Sequence, residues 1–373
     1  LTGASSTAEV ARDMEVMRRA VGDPNLNYLG FSYGSVLGQY YANMFPDRFR
    51  ALVVDGTLDP TAWVGDTRQI LDQRLRSGDG SYQALSEILQ RCDKAGENFC
   101  VFAEGDPVKH FAQVANRLKT DPVEFPDGAG GTIKVTYAVF IGAVQGTLYS
   151  TDAGAGVTQL AADVARAQAG ASPAALLKRV NAAKASRAYD FPYENGLDAG
   201  STVICTDGKH PANASSWPAA VDRREREAPY FGRSWGWIDS QCAGQTWTVR
   251  DEGAYTGPFT RRTGNPFLIV GNYWDPATSY QGAVSSRRLA PNASLLSSNN
   301  WGHTAYGSGV CVTTAIDNYL LTGKAPKDGK VCTDAAQPFV KPLPSAPVAV
   351  SGTGKSRPPV AAPKPNSILL PIR

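Results

Sequence analysis

Leu26-Asn-Tyr-Leu-Gly-Phe-Ser-Tyr-Gly-Ser-Val-Leu-Gly-Gln-Tyr-Tyr-Ala-Asn-Met44 is the stretch on which the fold turns. Leu26 to Leu29 is short and apolar enough for a buried strand. Gly30-Phe-Ser-Tyr-Gly34 reads G-x-S-x-G. Ser35 to Met44 has helix length and is closed by Phe45-Pro46. Strand, sharp turn and helix is the setting of a nucleophile elbow. The glycines permit a strained backbone and close crossing of strand and helix. Ser32 is then lifted to a helix N-terminus, where backbone N–H groups favour developing negative charge. The N–H of Tyr33 is the candidate oxyanion donor. The plainer alternative is an ordinary Gly/Ser turn between a buried strand and a helix.

Outward from the elbow, Ser6-Thr-Ala-Glu9 is a capping-box pattern that starts a helix. Val10, Met14, Met17 and Val21 are expected to form its apolar face, and Gly22-Asp-Pro24 ends it. Ala51-Leu-Val-Val54 reads as the next strand. Helix, strand, elbow, helix, strand is α/β alternation around a mostly parallel sheet.

A serine nucleophile needs a base, usually histidine, held by a carboxylate. The chain has three histidines. His110 sits in a helical pattern and is expected at a surface or satisfied by neighbours. His210, in a polar loop before Pro211, is expected to be solvated. His303 follows the strand-like Ala293 to Ser297 and is the candidate base. The acid should come between serine and histidine in chain order. Phe267-Leu-Ile-Val270 is a buried-strand run, and Asp275 lies on the loop that leaves it. A helix at about 279–289 and one strand fit between Asp275 and His303. The expected triad is Ser32, Asp275 and His303. Asp55, after the strand at 51–54, is the competing acid; its plainer reading, with Asp59, is turn chemistry at Asp55-Gly56 and Asp59-Pro60.

From Thr61 to about Thr260 helical patterns dominate: 66–77, 81–91, 107–119, 157–167 and 173–185. We read residues 1–60 as the first part of the core and 61–262 as a largely helical cap inserted between core strands. Residues 263–340 complete the core, and 341–373 form a Pro-rich tail, extended with polyproline-II character. Caps shape access and specificity more than chemistry. Trp235, Trp237 and Trp247 cluster near Cys242, as core or as pocket wall. Trp274 and Trp301 flank the Asp275 and His303 loops and are the better pocket candidates. Asp222-Arg-Arg-Glu-Arg-Glu227 alternates in sign, which predicts a solvated helix face.

Lys and Arg number 37 against 34 Asp and Glu, a balance that gives no ground for nucleic-acid binding. No run of 18 apolar residues suggests a membrane span. The six cysteines, Cys92, Cys100, Cys205, Cys242, Cys311 and Cys332, make no C-x-x-C motif, so zinc and thioredoxin-like chemistry are not expected. Local pairing suggests Cys92–Cys100 and Cys311–Cys332, which leaves Cys205 and Cys242. Disulfides imply an oxidising compartment; the alternative is six reduced, buried thiols in the cytosol. No metal or organic cofactor is expected.

Thr7-Ala-Glu-Val-Ala-Arg-Asp13, Tyr28 to Ser35, Tyr41 to Arg48 and Val54-Asp-Gly56 together resemble the secreted tripeptidyl aminopeptidases of streptomycetes, α/β hydrolases related to prolyl aminopeptidases. Asn265 to Val270, Asp275-Pro276, Gly302-His303 and Cys311 through Cys332 are similar to that family's C-terminal region. The resemblance supports all three disulfides and implies a secreted serine exopeptidase with an α/β-hydrolase fold. It would release short peptides, tripeptides in the first instance, from free N-termini through an acyl-enzyme. An aminopeptidase must also hold the substrate ammonium, and a buried carboxylate could do so. Asp207, beside Cys205, is the first choice; its plainer reading is an Asx-turn residue before Gly208. Glu194 and Asp198 come second. Family members carry further residues before the elbow, with the first strands of the sheet and a His-Gly-Gly-type loop that gives the second oxyanion donor. Here Gly130-Gly131 is the one Gly-Gly pair, in another context. The first strands are therefore expected from a separate N-terminal polypeptide, or to be lost. Two further readings remain: a carboxylesterase acting on small acyl esters, and a non-catalytic binding fragment.

Overall fold

The structure is a computed structural model, and it describes residues 2–186 and 195–343. The Pro-rich tail beyond 343 and Glu194 lie outside the described residues.

Seven strands are present among the described residues: β1 Leu26–Phe31, β2 Phe49–Asp55, β3 Val123–Pro126, β4 Thr132–Val135, β5 Leu268–Trp274, β6 Ser294–Trp301 and β7 Lys330–Cys332. Five form one sheet in the order β1-β2-β5-β6-β7, with every neighbouring pair parallel. Each strand is added on the same side as the chain advances, so β1 and β7 are the edges. A parallel sheet is covered on both faces, and its central strands must be apolar on both. In β2, Leu52 and Val54 pack with Ile269 under helices Thr7–Ala20, Tyr33–Met44 and Tyr280–Leu289. Ala51 and Val53 pack on the other face with Leu268, Val270 and Leu296 under helix Val310–Thr322. This is the α/β-hydrolase sheet expected from the sequence.

The first helix spans Thr7–Ala20, and the Ser6 side chain accepts from Glu9 N as the capping pattern requires. Its buried residues differ from the expected face. Ala8 and Ala11 are buried, whereas Met17 and Val21 are 59% and 74% exposed. Small residues allow close approach to helix Tyr33–Met44, and a large apolar face would hold the two helices apart. Arg18 is buried instead, paired with Glu15 at 2.7 Å.

Between β2 and β5 the chain builds a helical layer with its own core, centred on Ile88, Phe111, Phe140, Val144, Val157 and Phe231. It includes helices Ser77–Ala95, Pro107–Arg117, Tyr137–Leu148, Ala153–Gln168, Ala174–Ser186, Gly196–Asp207 and Trp217–Glu227. The antiparallel hairpin β3–β4 is an addition that the helical periodicity concealed. Its turn uses Gly130-Gly131, with Asp127 Oδ1 accepting from Ala129 N and Gly131 N.

Two charged stretches differ from expectation. Arg224, inside the alternating run 222–227, is buried and pairs with Asp72 at 2.9 Å, and also with Asp79 and Glu227. The alternation therefore marks a buried ion-pair knot as well as a solvated face. His210 is buried too: Nδ1 lies 2.9 Å from Asp239 and Nε2 3.0 Å from the Ile204 carbonyl. Asp239 also accepts from Leu71 N and the Trp217 indole, which explains why a polar-looking loop is drawn inward. His110 stacks on Phe102 with ring centroids 4.4 Å apart. The disulfides Cys92–Cys100, Cys205–Cys242 and Cys311–Cys332 are all formed.

Candidate active site

Ser32 sits between the end of β1 and helix Tyr33–Met44 with φ 56° and ψ −121°. A non-glycine residue at positive φ outside a routine left-handed turn is costly and marks a functional constraint. The surroundings enforce it. Ser32 N donates to Asp55 O at 2.9 Å. Tyr28 Oη donates to Gly34 O at 2.7 Å across the turn. A Cβ on Gly30 would lie 2.4 Å from Gly34 O, so only glycine fits where the helix folds back on the strand. Tyr33 is the first residue of the helix, among the N–H groups that have no intrahelical partner.

His303 follows β6, and its Nδ1 lies 3.0 Å from each carboxylate oxygen of Asp275. Asp275 is 1% exposed. It also accepts from Ala277 N at 2.9 Å, Thr278 N at 2.8 Å and Thr304 N at 3.1 Å. Burial alone would raise its pKa, but the His303 charge, the His303 hydrogen bond and the backbone N–H groups outweigh it and hold the pKa below the usual value. Burial works against a charged His303, yet Asp275 raises the imidazole pKa above its ordinary value. Thr278 Oγ1 lies 3.4 Å from the same ring nitrogen.

Asp55 is fully buried and accepts instead from Ala305 N, at 2.9 Å to each oxygen, and Tyr306 N at 2.8 Å. It braces the loop just beyond His303 and makes no hydrogen bond to the ring. Burial, with a smaller contribution from Asp275, pushes its pKa up to about 6. The loops converge at Gly56, where a Cβ would lie 3.2 Å from His303 Cε1. The elbow hangs from the carbonyl of the preceding residue.

The helical insertion also holds the histidine. His303 N donates to Tyr149 O at 3.1 Å, and the Tyr149 ring meets the imidazole edge-on at 5.1 Å. A Cβ on Gly302 (φ +87°) would come within 2.8 Å of Tyr149 O. No sequence signal marked Tyr149, because a carbonyl contact leaves no residue-type signature.

Ser32 and Tyr33 open into a cavity of about 680 Å³ between the strand ends and the helical layer. Leu58, Ala277 and Thr278 line it from the sheet side. Trp63, Trp235, Trp237, Val203 and Ile204 are among the apolar residues lining it from the insertion. Trp274 and Trp301, expected as pocket walls, do not line it. They stack on each other with centroids 5.2 Å apart beneath the Arg91 guanidinium. Adjacency to a catalytic loop in sequence sends alternate strand residues to the opposite face. Trp247 does not line the cavity either.

Asp207 ends helix Gly196–Asp207 and is 4% exposed, behind the cavity wall. It accepts from Thr7 N at 2.7 Å, from Thr7 Oγ1, and from the Trp63 indole at 2.8 Å. Thr7 Oγ1 in turn meets Tyr33 Oη at 2.7 Å. Burial pushes the Asp207 pKa up to about 6 against these bonds. In this geometry Asp207 fixes Trp63 directly and Tyr33 through Thr7, and the two rings pack 5.7 Å apart beside Ser32. Asp198 is exposed and does not line the cavity.

Residues 3–89 match the family model described as alpha/beta hydrolase fold, and residues 228–332 match the one described as TAP-like protein. The tripeptidyl aminopeptidase of Streptomyces lividans is 29% identical over 338 residues, covering 89% of this chain and 59% of the relative. Serine protease Hip1 of Mycobacterium tuberculosis is 29% identical over 345 residues, covering 87% and 61%. Carboxylesterase B of the same species is 28% identical over 330 residues, covering 87% and 60%. The chain thus spans about three fifths of the length of these relatives. It has the α/β-hydrolase fold and is similar over most of its length to the tripeptidyl aminopeptidases of Streptomyces.

Proposed function

We propose that the chain is a serine hydrolase of the exopeptidase type, releasing short peptides from free N-termini. The observation that carries this reading is the buried Asp275–His303 pair, together with a positive-φ Ser32 that lines the cavity. Ser32 Oγ attacks the scissile carbonyl, and His303 Nε2 takes its proton. Asp275 fixes the tautomer with Nδ1–H and stabilises the imidazolium. His303 then gives the proton to the leaving amine, and water resolves the acyl-enzyme by the same route. The N–H of Tyr33 supplies one oxyanion donor. The second donor would come from further strands pairing with β1, whose outer edge has no partner among the described residues. Such a strand-bearing polypeptide is the partner we propose. Three disulfides fit an oxidising compartment, and we place the protein outside the cell. No described helix is long and apolar enough to cross a membrane.

The carboxylesterase reading draws on the apolar lining of the cavity and the carboxylesterase relative. A chromogenic tripeptide amide and its N-acetylated twin separate the two, with Ser32→Ala as blank. Cleavage of the free-amine form only, lost in Ser32→Ala, is the expected result. Equal cleavage of both forms would favour the esterase reading. Failure of a fluorophosphonate to label Ser32 would favour the non-catalytic one.

A further inference from the structure

β5 and β6 pair in register from Leu268 with Ser294 to Asn272 with Ser298, and the register then shifts so that Trp274 meets Trp301. The extra residue of β6 falls where the two strands run out towards Asp275 and His303, and a bulge beside a site commonly re-aims a side chain. The last residue of β5 in regular register is Asn272, 1% exposed. Its Nδ2 donates to Gly302 O at 3.2 Å and to Thr304 O at 2.7 Å, the carbonyls on either side of His303. Two carbonyl oxygens can be met only by the NH2 group, which fixes the orientation of the amide. Among the described residues no other donor reaches either carbonyl.

Gly302 and Thr304 both have positive φ, at 87° and 69°. A β-branched residue such as Thr304 is a genuine outlier there, and it needs to be held. The N–H groups of this stretch are held by other partners: His303 N by Tyr149 O, Thr304 N by Asp275 and Ala305 N by Asp55. Asn272 supplies what those bonds leave out, a grip on the peptide carbonyls before and after the histidine. The grip has a cost. Asn272 Oδ1 is buried with no hydrogen-bond partner among the described residues, and an unpaired buried acceptor carries its full desolvation penalty. Leucine at this point of the strand would avoid that penalty. A buried polar group kept at such a cost calls for an explanation beyond packing.

We infer that Asn272 is a positioning residue that sets the direction of the His303 imidazole against Asp275, by holding both carbonyls that flank the histidine. The inference rests on the serine-hydrolase reading above, in which His303 is the base. Without the amide, the peptide groups at Gly302 and Thr304 can turn, and the ring turns with them.

The test is Asn272→Leu, which is close in volume and has no donor. On p-nitrophenyl acetate we expect kcat to fall at least tenfold with KM within twofold of wild type, because a misplaced base slows the chemistry and leaves the pocket intact. The His303 Nδ1–H proton, read by NMR and assigned by its loss in Asp275→Asn, should shift or broaden in the variant. It should stay in place in Ile316→Ala, a core variant under the far face of the sheet that serves as the control for lost stability. Wild-type kcat, or an unmoved Nδ1–H resonance in a cooperatively melting Asn272→Leu, would overturn the assignment. If that variant does not melt cooperatively, the wild-type chain decides. The Asn272 side-chain amide protons should then shift with the same midpoint as the His303 Cε1 proton when pH is varied; protons that stay put, or that follow Asp55 or Asp275 instead, overturn it. A wild-type chain that neither turns over the ester nor labels with a fluorophosphonate would refute the serine-hydrolase reading, and the two NMR readouts would still judge the placement of His303.

Discussion

Asp275→Asn separates the two buried carboxylates near His303. In the folded chain Asp275 Oδ1 accepts from Ala277 N and Thr278 N, and Oδ2 from Thr304 N, while both oxygens lie 3.0 Å from His303 Nδ1. An asparagine can keep its carbonyl oxygen on the first two N–H groups. Its NH2 then occupies the Oδ2 position, opposed to the Thr304 N–H and facing Nδ1. The imidazole must move its proton to Nε2, where it cannot accept one from Ser32. A wrong tautomer of this kind costs about 10,000-fold in kcat in the worked serine-protease case, or about 5.5 kcal/mol at 1.36 kcal/mol per tenfold. The unsatisfied donor at Thr304 adds a loss of about 1–3 kcal/mol in stability. Asp55→Asn loses acceptors only for Ala305 N and Tyr306 N. It shifts the loop and not the tautomer, so about 100-fold is the most it should cost. The assay is kcat/KM on an activated ester, with fluorophosphonate labelling rate as a second readout. Asp275→Asn within tenfold of wild type, or Asp55→Asn falling as far as Asp275→Asn, would refute the reasoning.

Three further outcomes follow from the same geometry. His303 works only when neutral, and Asp275 raises its pKa above the ordinary 6.5, so kcat/KM should rise with pH on a limb centred above 6.5. Stability should behave differently: the raised His303 stabilises fully below 6.5 and less as pH climbs through its folded value. Asp55 and Asp207, raised from 3.8 to about 6 by burial, bind more protons folded than unfolded in that window. Their contribution to Tm therefore falls between about pH 4 and 6, and Asp207→Asn should flatten that slope; an unchanged slope would remove Asp207 from this account. Gly30→Ala places a Cβ 2.4 Å from Gly34 O and from Tyr28 Cε1. The elbow must shift, and a loss of about 1–3 kcal/mol with slowed labelling of Ser32 is expected by calorimetry and probe kinetics.

What could be read in the sequence was what local chemistry imposes. Gly30, Ser32 and Gly34 announce a turn that few residue types can make, and the apolar run at 267–270 announces a strand buried on both faces. Chain order then points to Asp275 and His303, and the folded chain brings those two side chains together. The errors came where long-range partners decide. Val10, Met17 and Val21 look like a core face, but close packing against Tyr40 and Tyr41 favours Ala8 and Ala11. His210 and Arg224 look solvated because Asp239 and Asp72, which draw them inward, lie 29 and 152 residues away. Trp274 and Trp301 flank the right loops but face away from the cavity, while Trp63 escaped notice in a short helix after Asp59-Pro60.

The helical layer between β2 and β5 is tied by hydrogen bonds and close contacts to the loop of His303 and to the elbow. Tyr149 O receives His303 N, and Gly302 has no room for a side chain against Tyr149 and Ser150. Asp207 reaches the first helix through Thr7 and, by way of Thr7 Oγ1, the hydroxyl of Tyr33, the residue after Ser32. The insertion therefore touches the residue after the serine and the backbone of the histidine itself. In the proposed mechanism, displacing it would move His303 relative to Ser32, and a misplacement of about 1 Å can cost about 100-fold. We therefore expect that exchanging the helical layer alone would not transfer specificity. Its side chains near Ser32 shape the pocket, but its backbone at Tyr149 sets the height of His303, so a transplanted layer must reproduce that carbonyl before its new pocket can turn over anything.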